Sequence, residues 1–194
     1  NIIINGNGAI IHPYYVNGIE IVPSDSTSVA AENITINSLN FYCFRATSAI
    51  YAYRASKINI KNCTIDSISS KGIHLKNSLF VSIKDINFVG SGSSILLEGE
   101  TIQPEDPSVT CRFVNIMNCH FQAFSKAIHI LSNDNNTNSI NALINIVNCH
   151  YNSAVRDCNC IYIASPIETV NIVLISYILV EQVLEQYLVK IFHV

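Results

Sequence analysis

Apolar and polar residues alternate along this chain in short bursts, and the bursts repeat. One phrase returns six times: NITINSLNF (33–41), KINIKNCTI (57–65), FVSIKDINF (80–88), FVNIMNCHF (113–121), LINIVNCHY (143–151) and TVNIVLISY (169–177). Aligned on Ile34, Ile58, Val81, Val114, Ile144 and Val170, the copies step by 24, 23, 33, 30 and 26 residues. A period of about 20 to 50 residues is the signature of stacked repeats. Within each copy the alternation has period two, as in Ile58 and Ile60, which predicts strands. The alternation shifts by one at Asn62, and the same shift falls at Ser38, Asp85, Asn118 and Asn148. Asn and Asp tolerate left-handed backbone, so these positions are read as corners. Stacked amides at such corners also bond one another along the stack.

A second phrase follows each of the first five copies: AIYAY (49–53), GIHLK (72–76), SILLE (94–98), AIHIL (127–131) and CIYIA (160–164). An earlier copy, GIEI (18–21), belongs to a first repeat that starts at Asn1. Each repeat therefore predicts three short strands and three corners. No stretch carries the ten or more residues of 3.6-residue pattern that a helical repeat needs. The expected fold is an all-β solenoid, a single-stranded parallel β-helix of about seven rungs over 1–177. Rungs about 4.8 Å apart give a rod roughly 30–35 Å tall. Three core columns follow from the alignment. Ile19, Ile50, Ile73, Ile95, Ile128 and Ile161 form one; Phe41, Ile65, Phe88, Phe121 and Tyr151 a second; Leu39, Cys63, Ile86, Cys119 and Cys149 a third. Residues 178–194 lose the Asn corner and space their apolar residues in a helical manner, so they are read as a capping or assembly segment.

Composition narrows the surface. The 194 residues are 49% hydrophobic and only 13% charged, with a formal net charge of −3. Asn and Ser supply most of the polar exterior. No Lys/Arg cluster appears, so no nucleic-acid footprint is expected. No run of eighteen apolar residues predicts a membrane span. Asn1 already lies in a strand-like run (IIING), as expected of a segment from a longer chain. Seven cysteines at irregular places do not predict a full disulfide framework.

The pattern I-x-I-x-N-C-x-[FIY], a variable turn, then G-I-x-[LI] resembles the right-handed parallel β-helix of the pectate-lyase-like superfamily. That superfamily includes polygalacturonases, alginate-modifying enzymes and bacteriophage tailspikes. The resemblance covers about residues 1–177. It implies a tailspike-like depolymerase, a glycoside hydrolase or polysaccharide lyase acting on a bacterial surface glycan. It also implies a homotrimer at a virion surface or in an extracellular assembly, beside other proteins of that assembly. The alternative is a non-catalytic structural or receptor-binding rod. No cofactor is expected. The clustered aspartates and Gly-His-Gly of polygalacturonases are missing, and the calcium-binding aspartates of pectate lyases are not recognisable.

Candidate chemistry lies on the outward side of the GIHLK-type strands. One outward column reads Glu20, Tyr51, His74, Leu96, His129, Tyr162; the next reads Val22, Tyr53, Lys76, Glu98, Leu131, Ala164. Aromatic faces beside oriented polar groups suit an elongated glycan, so Tyr51, Tyr53, His74, Lys76, His129 and Tyr162 are the expected substrate contacts. The plain alternative is an ordinary outward strand face with residues of high β propensity. Glycosidic hydrolysis uses two carboxyl groups. Glu98 and Glu100 are two residues apart, hence about 6.5–7 Å on one strand face, and are the candidate catalytic pair. Glu105 and Asp106 adjoin them. A solvated acidic pair is the alternative, and a lyase with Lys76 or His74 as base is another. The loops 22–32, 98–112 and 131–141 would wall the strip. NCH occurs at 118–120 and 148–150, but alternation sends each Cys inward and each His outward. That argues against a zinc site, whose ligands converge on one point.

Overall fold

The computed structural model describes residues 1–23, 31–99, 110–132, 141–152, 158–164, 170–178 and 190–191. Among them every regular element is a strand. The first three are β1 (Ile2–Asn5), β2 (Ile10–Ile11) and β3 (Asn17–Ile21). Next come β4 (Ala31–Asn37), β5 (Asn40–Tyr42), β6 (Ser48–Tyr53), β7 (Ala55–Lys61), β8 (Thr64–Asp66) and β9 (Lys71–Lys76). They are followed by β10 (Leu79–Lys84), β11 (Asn87–Val89), β12 (Ser93–Gly99), β13 (Arg112–Met117), β14 (His120–Gln122) and β15 (Lys126–Ser132). The last are β16 (Ala142–Asn152), β17 (Asn159–Ala164), β18 (Val170–Ile178) and β19 (Lys190–Ile191). No helix among the described residues is long and apolar enough to cross a membrane. Most of 178–194 lies outside the described residues.

All strand pairings are parallel, and through β13 each strand pairs with the one three places further on; β14 then pairs with β16, β15 with β17 and β16 with β18. One sheet of 12 strands runs β1-β4-β7-β10-β13-β16-β14-β11-β8-β5-β2, with β18 also on β16. A second, of seven, runs β19-β17-β15-β12-β9-β6-β3. Parallel neighbours need a crossover connection; here the two intervening strands and their corners serve as the crossover. The arrangement is compatible with a parallel β-solenoid.

The alternation read from the sequence sets the register. Ile34 pairs with Ile58, Ile58 with Val81, Val81 with Val114, Val114 with Ile144 and Ile144 with Val170. In the seven-stranded sheet Ile19, Ile50, Ile73, Ile95, Ile128 and Ile161 follow one another. From Ile50 onward these isoleucines are buried. Rings stack on rings in the second column: Phe88 on Phe121 at 5.0 Å, and Phe121 on Tyr151 at 5.0 Å. Each fully buried side chain of this size contributes roughly 1.5–3 kcal/mol relative to exposure.

The corners are left-handed, as expected. φ is 55° at Ser38, 54° at Asn62, 54° at Asp85, 53° at Asn118 and 50° at Asn148. Their side chains link successive layers. Asn118 Nδ2 donates to Asp85 Oδ1 at 3.0 Å, and Asn148 Nδ2 to Asn118 Oδ1 at 3.1 Å. A second amide ladder crosses the strand face: Asn171 donates to Asn145 at 2.9 Å and Asn145 to Asn115 at 2.8 Å.

One column escapes the alternation. Asn33, Lys57, Phe80, Phe113 and Leu143 are also left-handed, with φ from 52° to 58°. Each is skipped by the pairing, which runs Leu79↔Ser56 and then Val81↔Ile58. Left-handed backbone costs a non-glycine residue about 1–2 kcal/mol. Phe80 and Phe113 stack outside the core at 4.7 Å, so ring stacking between layers offsets part of that cost.

Tyr151 stands where the layers below hold Phe121 and Phe88. Its hydroxyl is buried and has no hydrogen-bond partner among the described residues, and burial drives its ionisation far upward. An unsatisfied buried hydroxyl costs about 1–3 kcal/mol. Tyr151→Phe is therefore expected to leave stability unchanged or raise it by up to about 2 kcal/mol, measured as the urea midpoint. A clear loss of stability would show that the hydroxyl has a partner.

Candidate functional site

The outward face of the seven-stranded sheet is organised by its register. Tyr51 pairs with His74, His74 with Leu96, Leu96 with His129, and His129 with Tyr162. In the neighbouring column Tyr53 pairs with Lys76, Lys76 with Glu98, and Glu98 with Leu131. These are the columns that alternation predicts.

The contacts divide the strip into two clusters. On β6, β9 and β12, His74 Nε2 lies 2.7 Å from Glu98 Oε2, and Lys76 Nζ 3.4 Å from Glu98 Oε1. Both carboxylate oxygens are engaged. The Tyr51 ring packs 5.1 Å from His74, and Lys76 Nζ lies 5.9 Å from the Tyr53 ring centroid. On β15 and β17, His129 meets Tyr162 at 5.1 Å, and Lys126 Nζ lies 5.1 Å from the Tyr162 ring. Buried Leu96 stands between the clusters in the column.

Burial departs from a simple outward face. His74 is only 8% exposed and Glu98 7%, whereas Tyr51, Tyr53, Lys76, His129 and Tyr162 are half-buried. The physical reason is lateral. A carboxylate on one strand accepts from groups on the next, and the Tyr51 ring packs beside His74. Glu98 is thus neither a solvated surface acid nor an openly presented one. Glu100, Glu105 and Asp106 lie outside the described residues, so the geometry of the Glu98/Glu100 pair is not on view.

Electrostatics sort the roles open to Glu98. The hydrogen bond from His74 holds its carboxyl below the usual range; burial opposes this, and the charges of His74 and Lys76 assist it. A general acid in glycoside hydrolysis needs the opposite shift, so that it keeps a proton near neutrality. Glu98 therefore suits a base, a nucleophile or an orienting partner for His74, and not the acid. His129 is pushed down to about 4, chiefly by burial and then by the nearby Lys126 charge. Its imidazole is neutral at physiological pH and offers one donor and one acceptor.

An exposed cluster outside the strip was not singled out in the alternation. Tyr14 forms an isolated parallel bridge with Arg45. Arg45 Nη1 donates to Tyr14 Oη at 2.9 Å and to Tyr15 Oη at 2.8 Å, and the guanidinium lies 5.7 Å from the Phe44 ring centroid. All three rings are largely exposed. YY at 14–15 and FR at 44–45 fall between strand phrases, where a period-two template gives no weight. All seven cysteines are free and buried. Among the described residues no group of three or more His, Cys, Asp or Glu converges as a metal site would.

No protein-family model, no curated protein and no solved structure matches this chain.

The titrations give a signed prediction. Unfolded His129 takes its proton near its ordinary 6.5, the folded one only near 4. Between these values the unfolded chain binds more protons, so stability is complete above 6.5 and falls as pH is lowered through the window. Glu98, lowered from 4.5, acts in the same direction below that value. Urea midpoints of the wild type should drop from pH 7 to pH 4, and His129→Gln should flatten the slope between 6.5 and 4.5. Equal slopes for the two proteins would show that His129 does not carry this dependence.

Proposed function

We propose that this chain is a right-handed parallel β-helix of about seven rungs that recognises an elongated surface glycan along the outward face of its seven-stranded sheet. Right-handedness is supported by the general rule that parallel strands joined through a crossover in one sheet turn that way in about 98% of cases. The rung number is supported by the seven strands of that sheet. The reading places the chain beside the pectate-lyase-like and tailspike β-helices, at a virion surface or in an extracellular assembly, as a homotrimer. In this reading residues 178–194 cap the rod or join it to its neighbours.

The observation that carries the glycan reading is the two pairs of rings along one face, Tyr51 with His74 and His129 with Tyr162, beside the charged trio Lys76, Glu98 and His74. Within each pair the rings sit one strand spacing apart, about 4.8 Å, and the half-buried Tyr51, Tyr53, His129 and Tyr162 carry the apolar faces. The half-buried Lys76, held by Glu98, and the neutral His129 offer oriented donors and acceptors for sugar hydroxyls.

Cleavage of the bound glycan is the second reading. It is favoured by the His74–Glu98 contact, in which an ionised carboxylate orients an imidazole, as general bases are oriented. It assigns Glu98 to the base or nucleophile side, with the acid still to be supplied, for which Glu100 is the sequence candidate.

The test is binding and sugar release on a panel of bacterial surface polysaccharides. Wild type should bind at least one, and Tyr51→Ala with Tyr53→Ala should weaken that binding about 10-fold or more, as loss of one or two aromatic anchors does. Reducing-sugar release abolished by Glu98→Gln would add depolymerase activity. Binding without release would make the chain a receptor-binding rod. Absence of any binding by the wild type would overturn the glycan reading and leave a structural role.

A further inference from the structure

The NCH phrase at 118–120 and 148–150 has no part in the glycan reading. Its cysteines are accounted for inside the stack. Cys119 Sγ donates to the Met117 carbonyl at 3.4 Å and Cys149 Sγ to the Val147 carbonyl at 3.5 Å. Both are fully buried small side chains.

The histidines are a different matter. β14 and β16 pair in parallel with His120 directly opposite His150. Both side chains leave the same sheet face, His120 half-buried and His150 exposed. Their ring centroids are 6.2 Å apart with planes at 82°. A divalent ion bound by two imidazole nitrogens at about 2.0–2.1 Å holds those rings with centroids roughly 5 Å apart. Closing by about 1 Å lies within rotation of the two side chains, with no movement of the paired backbone.

Gln122 completes the geometry. Its amide nitrogen lies 3.3 Å from His120 Nδ1 and 3.5 Å from Asn87 Oδ1. The orientation of a glutamine amide is set by its bonding partners. Turned over together with the Asn87 amide, whose nitrogen then donates to it, the Gln122 oxygen accepts a proton from Nδ1 and so leaves Nε2 of His120 as the metal donor. That is the usual outer support of a ligating histidine.

We propose that His120 and His150 form a two-histidine site for a borderline divalent transition-metal ion, with water completing its coordination. Neutral imidazole selects nickel, copper or zinc over magnesium or calcium. The site has two protein ligands, not three or four, and it ties two neighbouring strands of the stack across their outer face. It is independent of the glycan strip on the other sheet.

The probe is Ni²⁺, which does not oxidise the buried thiols, titrated calorimetrically into tag-free protein at neutral pH with Mg²⁺ as control. One Ni²⁺ should bind per chain, and saturating Ni²⁺ should raise the melting temperature while Mg²⁺ does neither. His120→Ala and His150→Ala should each weaken binding by about 10-fold or more, and Gln122→Ala by about 10-fold. His12→Ala should change nothing. Circular dichroism of each variant confirms that the stack is intact, as expected for substitutions on the outer face. Absence of Ni²⁺ binding by the wild type, or binding retained in the His120→Ala/His150→Ala double variant, would overturn the proposal.

Discussion

Parallel pairing in register is the constraint from which the rest follows. Each strand bonds its counterpart in the next repeat, so like positions lie against one another from layer to layer. At strand spacing of about 4.8 Å the side chains of like positions touch. Apolar positions become continuous columns, as in Ile50, Ile73, Ile95 and Ile128, which lose all contact with solvent. Polar positions become ladders whose members must satisfy one another, as Asn115, Asn145 and Asn171 do. A polar group that its neighbouring layers do not satisfy is expensive, and the Tyr151 hydroxyl, in the column that holds Phe88 and Phe121, is the visible case.

The same constraint makes the outward face of the seven-stranded sheet distinctive. A strand in solvent disperses its polar groups; a stacked one brings groups from distant sequence into direct contact. His74 and Glu98 are 24 residues apart and lie 2.7 Å from each other. Lys76 closes the trio from the opposite oxygen. The result is a carboxylate that stays ionised in a nearly buried place. That state suits accepting a proton or orienting a ligand, and it sets the direction in which acid weakens the fold.

The sequence carried the stack itself plainly, and the reason is physical. Period-two alternation, Asn corners and a 23–33-residue step are local properties, and in-register stacking converts them directly into contacts. The Ile and aromatic columns and the corners at Ser38, Asn62, Asp85, Asn118 and Asn148 all stand where the alignment puts them. The left-handed column of Asn33, Lys57, Phe80, Phe113 and Leu143 was not legible. Phenylalanine and leucine carry no preference for that backbone, and only the skip in pairing shows it. The burial of His74 and Glu98 was not legible either, because alternation assigns a side of the strand and says nothing of what neighbouring side chains then cover. The Arg45 cluster arose from two short loops that no strand template weighs.

The register between layers is tested most directly by cross-linking. Ser82 and Asn115 are paired neighbours on β10 and β13, and both side chains face outward from the stack. Parallel partners lie about 4.8 Å apart, within the 4.4–6.8 Å range for a disulfide. The Ser82→Cys/Asn115→Cys protein should therefore form that bond readily under mild oxidation and keep its fold. Ser82→Cys/Met117→Cys, displaced by two residues along β13, should not. The reverse result, with the displaced pair bonding and the paired one remaining reduced, would contradict the in-register parallel stack on which the whole account rests.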